Sequence, residues 1–227
     1  MKKITIECHN ISKSFSNGSQ TIQVLRNVNL AAHENELMML MGPSGSGKTT
    51  LISIIGGILE QDSGECLILG KPINQLPEQE KTIFRGNTIG FMFQNFTLVP
   101  TLTALENAAI PLLCLKQDPT RAYERAKQLL CTIGLEKQLY KKPAQLSGGE
   151  QQRVAIARAC VHMPKIILCD EPTGFLDHER GMQIMQILKD LTVSNNCTII
   201  VVTHDHRILS FADSIVEIED GTIKQSK

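Results

Sequence analysis

The chain has 227 residues, 42% of them hydrophobic and 20% charged, and its formal net charge is zero. This composition excludes a disordered chain and allows one large α/β domain or a domain with a sizeable insert. The balanced charge argues against a nucleic-acid partner, and no stretch approaches the roughly 20 apolar residues needed to span a bilayer. Met1–Glu7 has two lysines without an apolar run behind them, so we expect a cytosolic chain without a signal peptide.

The first part of the chain alternates short β-like runs with turns such as Asn17-Gly18. The apolar run Met38–Met41 leads directly into Gly42, and helical character begins after Lys48. This is the order of a strand, a glycine-rich turn and a helix. The predicted strands are Ile4–Cys8, Gln23–Leu30, Glu36–Met41 and Cys66–Leu69, and the predicted helix is Thr49–Leu59.

The turn after Met41 fits the phosphate-loop pattern G-x-x-x-x-G-K-[ST]. Its glycines let backbone N–H groups converge on phosphate oxygens, and the helix start behind them adds a positive dipole end. Lys48 would place a point charge on the β and γ phosphates, and the Thr49 hydroxyl would ligate Mg²⁺. We therefore expect ATP to bind Gly42, Pro43, Ser44, Gly45, Ser46, Gly47, Lys48, Thr49 and Thr50.

The middle of the chain is mostly helical between Asn95 and Cys160. Apolar residues recur at helical spacing around Leu129, and the last helix is stopped by Pro164. This run of predicted helices indicates a helical insert. We predict helices in this insert over Leu102–Cys114, Thr120–Gly134 and Glu150–His162. Just before the insert, we predict a helix over Pro77–Arg85 and a strand over Ile89–Phe93.

The last part returns to β/α alternation. Lys165–Cys169 and Thr198–Thr203 are continuous apolar runs, which is typical of parallel strands buried on both faces. Gly181–Leu191 between them reads as a crossover helix. Val216–Ile218 and Thr222–Lys224 are predicted to form a closing hairpin.

Two carboxylates, Asp170 and Glu171, follow the apolar strand that begins at Lys165. Ligands of open α/β sheets gather at the carboxyl ends of strands. We expect Asp170 to hold Mg²⁺, directly or through water, and Glu171 to polarise the attacking water as a general base. The alternative is an ordinary exposed strand end with two acids.

A second anion-binding helix start is predicted at Ser147-Gly148-Gly149. Ser147 can cap the helix through Glu150–His162, and the glycines leave their N–H groups open to an anion. The alternative is an ordinary capped helix, which is the commonest use of Ser-x-x-Glu.

The stretch Leu146–Ala159, reading LSGGEQQRVAIARA, resembles the signature motif of ATP-binding cassette (ABC) ATPases. The other cassette motifs follow in order, so the resemblance covers essentially the whole chain. It implies an α/β P-loop NTPase fold with a mostly parallel core sheet, an N-terminal antiparallel β subdomain and a helical insert at about 95–160. It also implies that residues 1–227 form a single ATPase domain that binds and hydrolyses ATP with Mg²⁺.

The resemblance assigns roles to further residues. Phe15 would stack on adenine rather than serve as a core aromatic. Gln94 would touch Mg²⁺ and sense the transport partner; the alternative is an ordinary polar residue of a loop. His204 would contact the γ-phosphate and, together with Glu171, would be catalytic; the alternative is a histidine that is satisfied at the end of a strand. The residues that would bind ATP from the opposite chain of a homodimer are Ser147, Gly148, Gly149, Glu150 and Asp177, the last at the dimer seam next to Phe175.

Asn87–Phe96, Leu98–Pro100 and Thr103–Asn107 resemble cassettes of the lipoprotein-release and macrolide-export type (LolD/MacB-like), and the segment from Thr203 to Leu209 is similar to glycolipid exporters (DevA-like). This resemblance implies a separate inner-membrane permease, with the cassette on its cytoplasmic face. Two alternatives stay open: a regulatory cassette ATPase of a cell-division type of membrane complex that does not transport, and a cassette that works on DNA or ribosomes.

Overall fold

The computed structural model describes residues 2–18, 20–174, 176, 178–194 and 196–226. Its strands are β1 (Ile4–Asn17), β2 (Gln20–His33), β3 (Leu37–Met41), β4 (Ser63–Ile68), β5 (Lys71–Pro72), β6 (Ile89–Met92), β7 (Ile166–Asp170), β8 (Thr198–Val202), β9 (Ser214–Glu219) and β10 (Thr222–Ser226).

Several of the helices begin at a side-chain cap. Thr103 and Ser147 each form a capping box with the glutamate three residues on, and Asp118 caps a helix that has Pro119 in its first turn. The α-helices are α1 (Lys48–Ile55), α2 (Glu78–Thr88), α3 (Ala104–Cys114), α4 (Pro119–Thr132), α5 (Gly148–Cys160) and α6 (His178–Ser194), with 3-10 turns at Ile73–Gln75, Pro143–Gln145 and His206–Phe211.

The strands of the described residues form two sheets. An antiparallel sheet has the order β2-β1-β4-β5, and a larger sheet has the order β10-β9-β3-β8-β7-β6. In the larger sheet β9, β3, β8, β7 and β6 run parallel, and β10 pairs antiparallel to β9. This confirms a mostly parallel core sheet beside an N-terminal antiparallel one.

Both faces of the parallel sheet are covered, which explains why its central strands β3, β7 and β8 are almost continuously apolar. Leu40 and Leu168 point into a core shared with α1 and the antiparallel sheet. Their chain neighbours Met39 and Ile167 point into a second core formed with α5 and α6. Helices α3, α4 and α5 enclose a third core. Among the described residues we find no helix with the length and apolarity to cross a membrane.

The predicted elements are present, with shifted bounds. β1 and β2 have 14 residues each and are longer than the predicted strands. Asn10 and Asn27 have left-handed φ angles of 52° and 48°, and the pairing register shifts between Cys8 and Ile11. These irregularities interrupt the alternation of apolar and polar residues by which strands are recognised. Likewise α6 extends three residues beyond each end of the predicted Gly181–Leu191.

Candidate nucleotide site

The phosphate loop lies between the end of β3 at Met41 and the start of α1 at Lys48. Gly42 and Gly47 have φ angles of 148° and 103°, which favour glycine. A Cβ at Gly47 would lie 2.7 Å from the Leu25 side chain, and one at Gly42 would collide with the Ile218 carbonyl. The loop is therefore packed on both sides against strands β2 and β9, and its two glycines are required by space as well as by backbone angle.

The Lys48 ammonium lies within this loop. Its Nζ donates to the carbonyl oxygens of Gly42 and Pro43 at 2.8 and 2.7 Å. Burial lowers the pKa of Lys48 from its ordinary value, and the nearby charges of Glu171 and Asp170 oppose that shift. The structure thus holds the lysine inside the loop through two of the loop's own carbonyl groups, and its contact with a phosphate stays a prediction.

Thr49 and Asp170 meet although they are far apart in the sequence. The Thr49 hydroxyl lies 3.0 Å from Asp170 Oδ2 and 3.3 Å from Oδ1. Asp170 is buried at the end of β7, and burial raises its pKa, with the Thr49 hydrogen bond and Lys48 acting in the opposite direction. A hydroxyl and a carboxylate are hard oxygen donors of the kind that Mg²⁺ prefers.

Glu171 is bracketed by the two other residues assigned to the reaction centre. Its Oε2 accepts a hydrogen bond of 3.0 Å from Gln94 Nε2, and its Oε1 lies 2.9 Å from His204 Nδ1. The Glu171 backbone has a φ of 49°, unusual for a residue with a Cβ, and its N–H donates to the Val202 carbonyl at 2.9 Å. The carboxyl ends of β6, β7 and β8 thus bring three predicted residues together.

Phe15 lies on β1 opposite Ile22 of β2 and is 44% exposed. The Lys13 Nζ lies 5.6 Å from the centroid of its ring. The ring does not belong to any of the described hydrophobic cores, so the alternative of a core aromatic is excluded by its exposure. Its stacking on adenine stays a prediction.

Ser147 caps α5, and its backbone N–H donates to Glu150 Oε2 at 2.7 Å while its hydroxyl accepts from the Glu150 N–H at 3.3 Å. The Ser147 N–H lowers the pKa of Glu150, whose other oxygen accepts from Gln138 at 2.8 Å. Ser147, Gly149 and Glu150 line a groove of about 500 Å³ with α4 and α6. Gly42 and Pro43 line a different hollow, with His204 and the C-terminal hairpin. Asp177 and Phe175, predicted for the seam, lie outside the described residues.

The C-terminal hairpin is a support of the loop that sequence reasoning missed. The Gly221 N–H donates to the Ser46 carbonyl at 3.2 Å, and the Arg26 N–H donates to the Gly221 carbonyl at 2.8 Å. Gly221, with a φ of 75°, therefore joins β2 to the phosphate loop. The Asp-Gly turn was readable in the sequence, but no local signal shows what the turn contacts.

Known proteins resemble this chain along most of its length. A family model described as ABC transporter matches residues 25–174. The uncharacterized ABC transporter ATP-binding protein MJ1508 of Methanocaldococcus jannaschii is 44% identical over 96% of this chain and 97% of its own length. The macrolide export ATP-binding/permease protein MacB of Pasteurella multocida is 42% identical over 98% of this chain. The chain spans only 34% of that MacB protein.

A solved structure agrees with the fold. The dimeric ATP-binding cassette MJ0796 of Methanocaldococcus jannaschii, in a post-hydrolysis state bound to ADP and Pi, has a TM-score of 0.92 and 42% identity to this chain. The similarity covers 98% of this chain and 97% of the solved one.

Proposed function

The chain belongs to the ABC transporter family as an ATP-binding cassette and ATPase, and we propose that two copies of it form an ATP-driven motor for a separate export permease. Each ATP lies between the phosphate loop of one copy and the Ser147–Glu150 helix start of the other. Closure of the two copies around ATP pulls on the permease, and hydrolysis reopens them. The whole chain, residues 1–227, acts as one cassette with a helical insert at about 95–160.

The observation that carries this proposal is the separation of two anion-binding elements within one chain. The α5 start opens into a groove with α4 and α6, whereas the phosphate loop opens beside His204 and the C-terminal hairpin. Each is half of a nucleotide site, and a second copy supplies the missing half. The dimeric state of the MJ0796 cassette, which is similar over nearly its whole length, supports the same arrangement.

In this site the loop N–H groups and Lys48 bind the phosphates, and Phe15 stacks on the base. Thr49, Asp170 and Gln94 would hold Mg²⁺, which when bound neutralises charge on the β and γ phosphates. The exposed side chain of Phe15 and the 3.0 Å contact between Thr49 and Asp170 fit these roles.

Hydrolysis requires a base for the attacking water, and Glu171 is the proposed group. Its carboxylate takes the proton of the water whose oxygen forms the new bond to the γ-phosphorus, while the bond from that phosphorus to the β-γ bridging oxygen breaks and ADP leaves. Both Glu171 oxygens are now engaged, by Gln94 and His204. A carboxylate has about four acceptor positions, so these two contacts orient Glu171 and leave it able to accept a proton. His204 would turn to the γ-phosphate when ATP is bound, and Gln94 would report the change to the permease.

The permease surface is proposed on the face that begins at Gln94 and continues to Asn107. Beside it, α2, α3 and α5 form a groove of about 530 Å³ that is lined by Ile83, Phe91 and Pro111. Ile83 is 64% exposed and lies beside Phe91 and Pro111 in this groove, so the groove offers apolar surface to a partner. We propose that a cytosolic segment of the permease occupies this groove, which places the cassette on the cytoplasmic face of the inner membrane without a nucleic-acid partner.

One relative supports a permease partner of the export type. MacB of Pasteurella multocida, which is 42% identical to this chain, is described as a macrolide export ATP-binding/permease protein. We therefore propose a cassette of the LolD/MacB type that works with an export permease.

The test combines the Glu171→Gln variant with the membrane protein encoded beside this chain. With Mg²⁺ and ATP, Glu171→Gln is expected to form a stable dimer by size-exclusion chromatography with light scattering and to hydrolyse at least about 100-fold more slowly. Glu124→Gln, an exposed glutamate on α4, is the matched control and should behave as the wild type. A Glu171→Gln variant that stays monomeric and hydrolyses normally contradicts the proposal.

The same membrane protein separates transport from regulation. Co-purified with the cassette in vesicles, it should show ATPase activity that rises with candidate cargo, together with ATP-dependent loss of cargo from the cassette side. ATPase activity that depends on the membrane protein but moves no cargo favours the regulatory alternative. Co-purification with nucleic acid instead of membranes contradicts the permease partner.

A further inference from the structure

An ion pair joins the strand of Phe15 to the segment that follows the phosphate-loop helix. Lys13 Nζ lies 2.7 Å from Asp62 Oδ1, and the same ammonium lies 5.6 Å from the Phe15 ring centroid. We propose that Lys13 and Asp62 are positioning residues that hold the Phe15 ring and so set the affinity of the site for the adenine base. This inference rests on the adenine-stacking role proposed for Phe15.

Asp62 binds β1 at three consecutive residues. Besides the Lys13 ion pair, its Oδ2 accepts from the Ser14 N–H at 2.6 Å, and its own N–H donates to the Ser12 carbonyl at 2.9 Å. Lys13 and the Ser14 N–H hold the pKa of Asp62 below its ordinary value, so the carboxylate is charged at neutral pH. A single residue therefore holds the segment immediately before Phe15.

The Asp62 contacts lie where the pairing of β1 with β2 is irregular. The register shifts between Ile11 and Lys13 and again between Lys13 and Ser14. Irregular pairing leaves a strand free to bend and twist. From Ser14 onward the pairing is regular, and Phe15 pairs with Ile22 near the end of the hairpin, where both side chains are exposed. The Asp62 contacts therefore restrain the irregular stretch immediately before the regular pairs that carry Phe15.

Lys13 adds a direct contact to the ring. Its side chain is only 16% exposed, whereas the Asp62 side chain is 44% exposed. A lysine held this close to an aromatic ring interacts with the negative face of the ring. Because Asp62 restrains the ammonium, less conformational entropy is lost when the ring is ordered for stacking.

The contacts of Asp62 with Lys13 and Ser14, called the clasp below, also connect the Phe15 strand with the phosphate loop, the two parts of the site that would bind the base and the phosphates of one nucleotide. Asp62 lies between α1, which starts at Lys48, and β4. On the other side of the loop, Gly47 packs against Val24 and Leu25 of β2. The Phe15 strand is therefore tied to the phosphate loop both through β2 and through Asp62. Loss of the clasp frees the ring while the loop itself stays in place.

The experiment measures ATP hydrolysis and ligand binding of the full-length protein carrying Asp62→Asn or Lys13→Met. The KM for Mg·ATP is expected to rise about threefold to tenfold, which corresponds to one weak ion pair and one cation–π contact. The kcat should stay within about twofold, because the phosphates and the reacting groups are untouched. Lys13→Arg, which retains the charge and the stacking contact, should restore the wild-type KM.

Two further measurements exclude a general loss of structure. Binding of inorganic tripolyphosphate with Mg²⁺ should be unchanged in every variant, because this probe has no base to stack. Lys71→Met is the matched control, since Lys71 Nζ lies 5.5 Å from the Phe84 ring centroid in the same kind of contact outside the site. It should leave the KM for ATP at the wild-type value.

The outcomes separate this inference from the proposed role of Phe15. If Phe15→Ala raises the KM for ATP but Asp62→Asn and Lys13→Met do not, the clasp has no positioning role. If Phe15→Ala leaves the KM unchanged, the stacking role itself is wrong and the clasp inference goes with it. Weaker tripolyphosphate binding by Asp62→Asn and Lys13→Met shows a general disturbance of the loop and also overturns the inference.

Discussion

Gly148→Ala tests whether one chain holds only half of the nucleotide site. Gly148 is the first residue of α5 and follows the cap Ser147. A Cβ built there meets no atom within 4 Å, and its φ is not in the left-handed region. Within one chain, alanine should therefore be accepted without strain. In the proposed dimer, the same Cβ would enter the space between the helix start and the γ-phosphate of the opposite copy.

Gly148→Ala is expected to leave the stability of the chain unchanged or higher but to lower its rate of ATP hydrolysis. Alanine loses less backbone freedom than glycine on folding, which should leave the chain as stable as the wild type or more stable by up to about 1 kcal/mol. For a chain of this length that is a rise in Tm of up to about 4 °C. Obstruction of an N–H group that binds a transferring phosphoryl should instead lower kcat by about 100-fold to 1,000-fold. Ser147→Ala is less informative, because loss of the helix cap alone costs about 1 kcal/mol.

The assay needs thermal unfolding without nucleotide, binding of a fluorescent ATP analogue at a protein concentration where the cassette is monomeric, and steady-state hydrolysis. Gly148→Ala should unfold at or above the wild-type temperature, bind the analogue normally and hydrolyse poorly. Combined with Glu171→Gln, it should also prevent the ATP-dependent dimer. Normal hydrolysis and dimer formation would refute the reasoning, and so would loss of binding to the monomer, because that would place Gly148 in the pocket of its own chain.

Three other predictions follow from packing, burial and charge. Gly221→Ala should lower the free energy of unfolding by about 2–4 kcal/mol in urea titrations, because Gly221 has a φ of 75° and an added Cβ would collide with the Val24 carbonyl. The control Gly70→Ala, at a φ of 76° with no neighbour within 4 Å, should lower it by only about 1 kcal/mol. Equal losses of stability in the two variants would contradict this. Burial lowers the pKa of His162 from 6.5, so the unfolded state binds the proton first as the pH falls. The free energy of unfolding should therefore decrease as the pH falls below about 6.5, and it should decrease less steeply in His162→Gln. Identical pH dependence in the variant and the wild type would refute this role of His162. Asp170→Asn, or chelation of divalent cations, should reduce hydrolysis at least about 100-fold while the fluorescent ATP analogue still binds through Lys48 and the loop; hydrolysis that persists without a divalent cation would contradict the Mg²⁺ proposal.

The strands and helices of this protein could be predicted largely from the sequence because their signals are local. The parallel strands β7 and β8 are continuously apolar, and α3, α4 and α5 show helical spacing of apolar residues with readable caps. The prediction was least accurate for β1 and β2. Left-handed asparagines and register shifts interrupt their pattern, and only pairing with the neighbouring strands keeps these segments extended.

The phosphate loop and the acidic pair could also be recognised from local sequence, since their chemistry depends on fixed spacing after an apolar strand. The contacts between the side chains of the site could not be predicted in this way. Glu171 contacts Gln94 and His204 only because β6, β7 and β8 are adjacent and parallel, so that their carboxyl ends share one edge. The sequence suggested that these three residues belong to one site, but it did not show that both oxygens of Glu171 are engaged.

By itself, the sequence determined the phosphate-loop motif, the acidic pair and the capped start of α5, because each depends on residues that are close in the chain. It determined the fold class through a resemblance that covers essentially the whole chain. Only the tertiary structure decided which distant segments support them. Asp62 clasps the strand of Phe15, and Gly221 joins β2 to the phosphate loop. These contacts form between segments that approach one another only after the strands have paired and the two sheets have packed. The spacing of residues along the chain does not show which segments will meet.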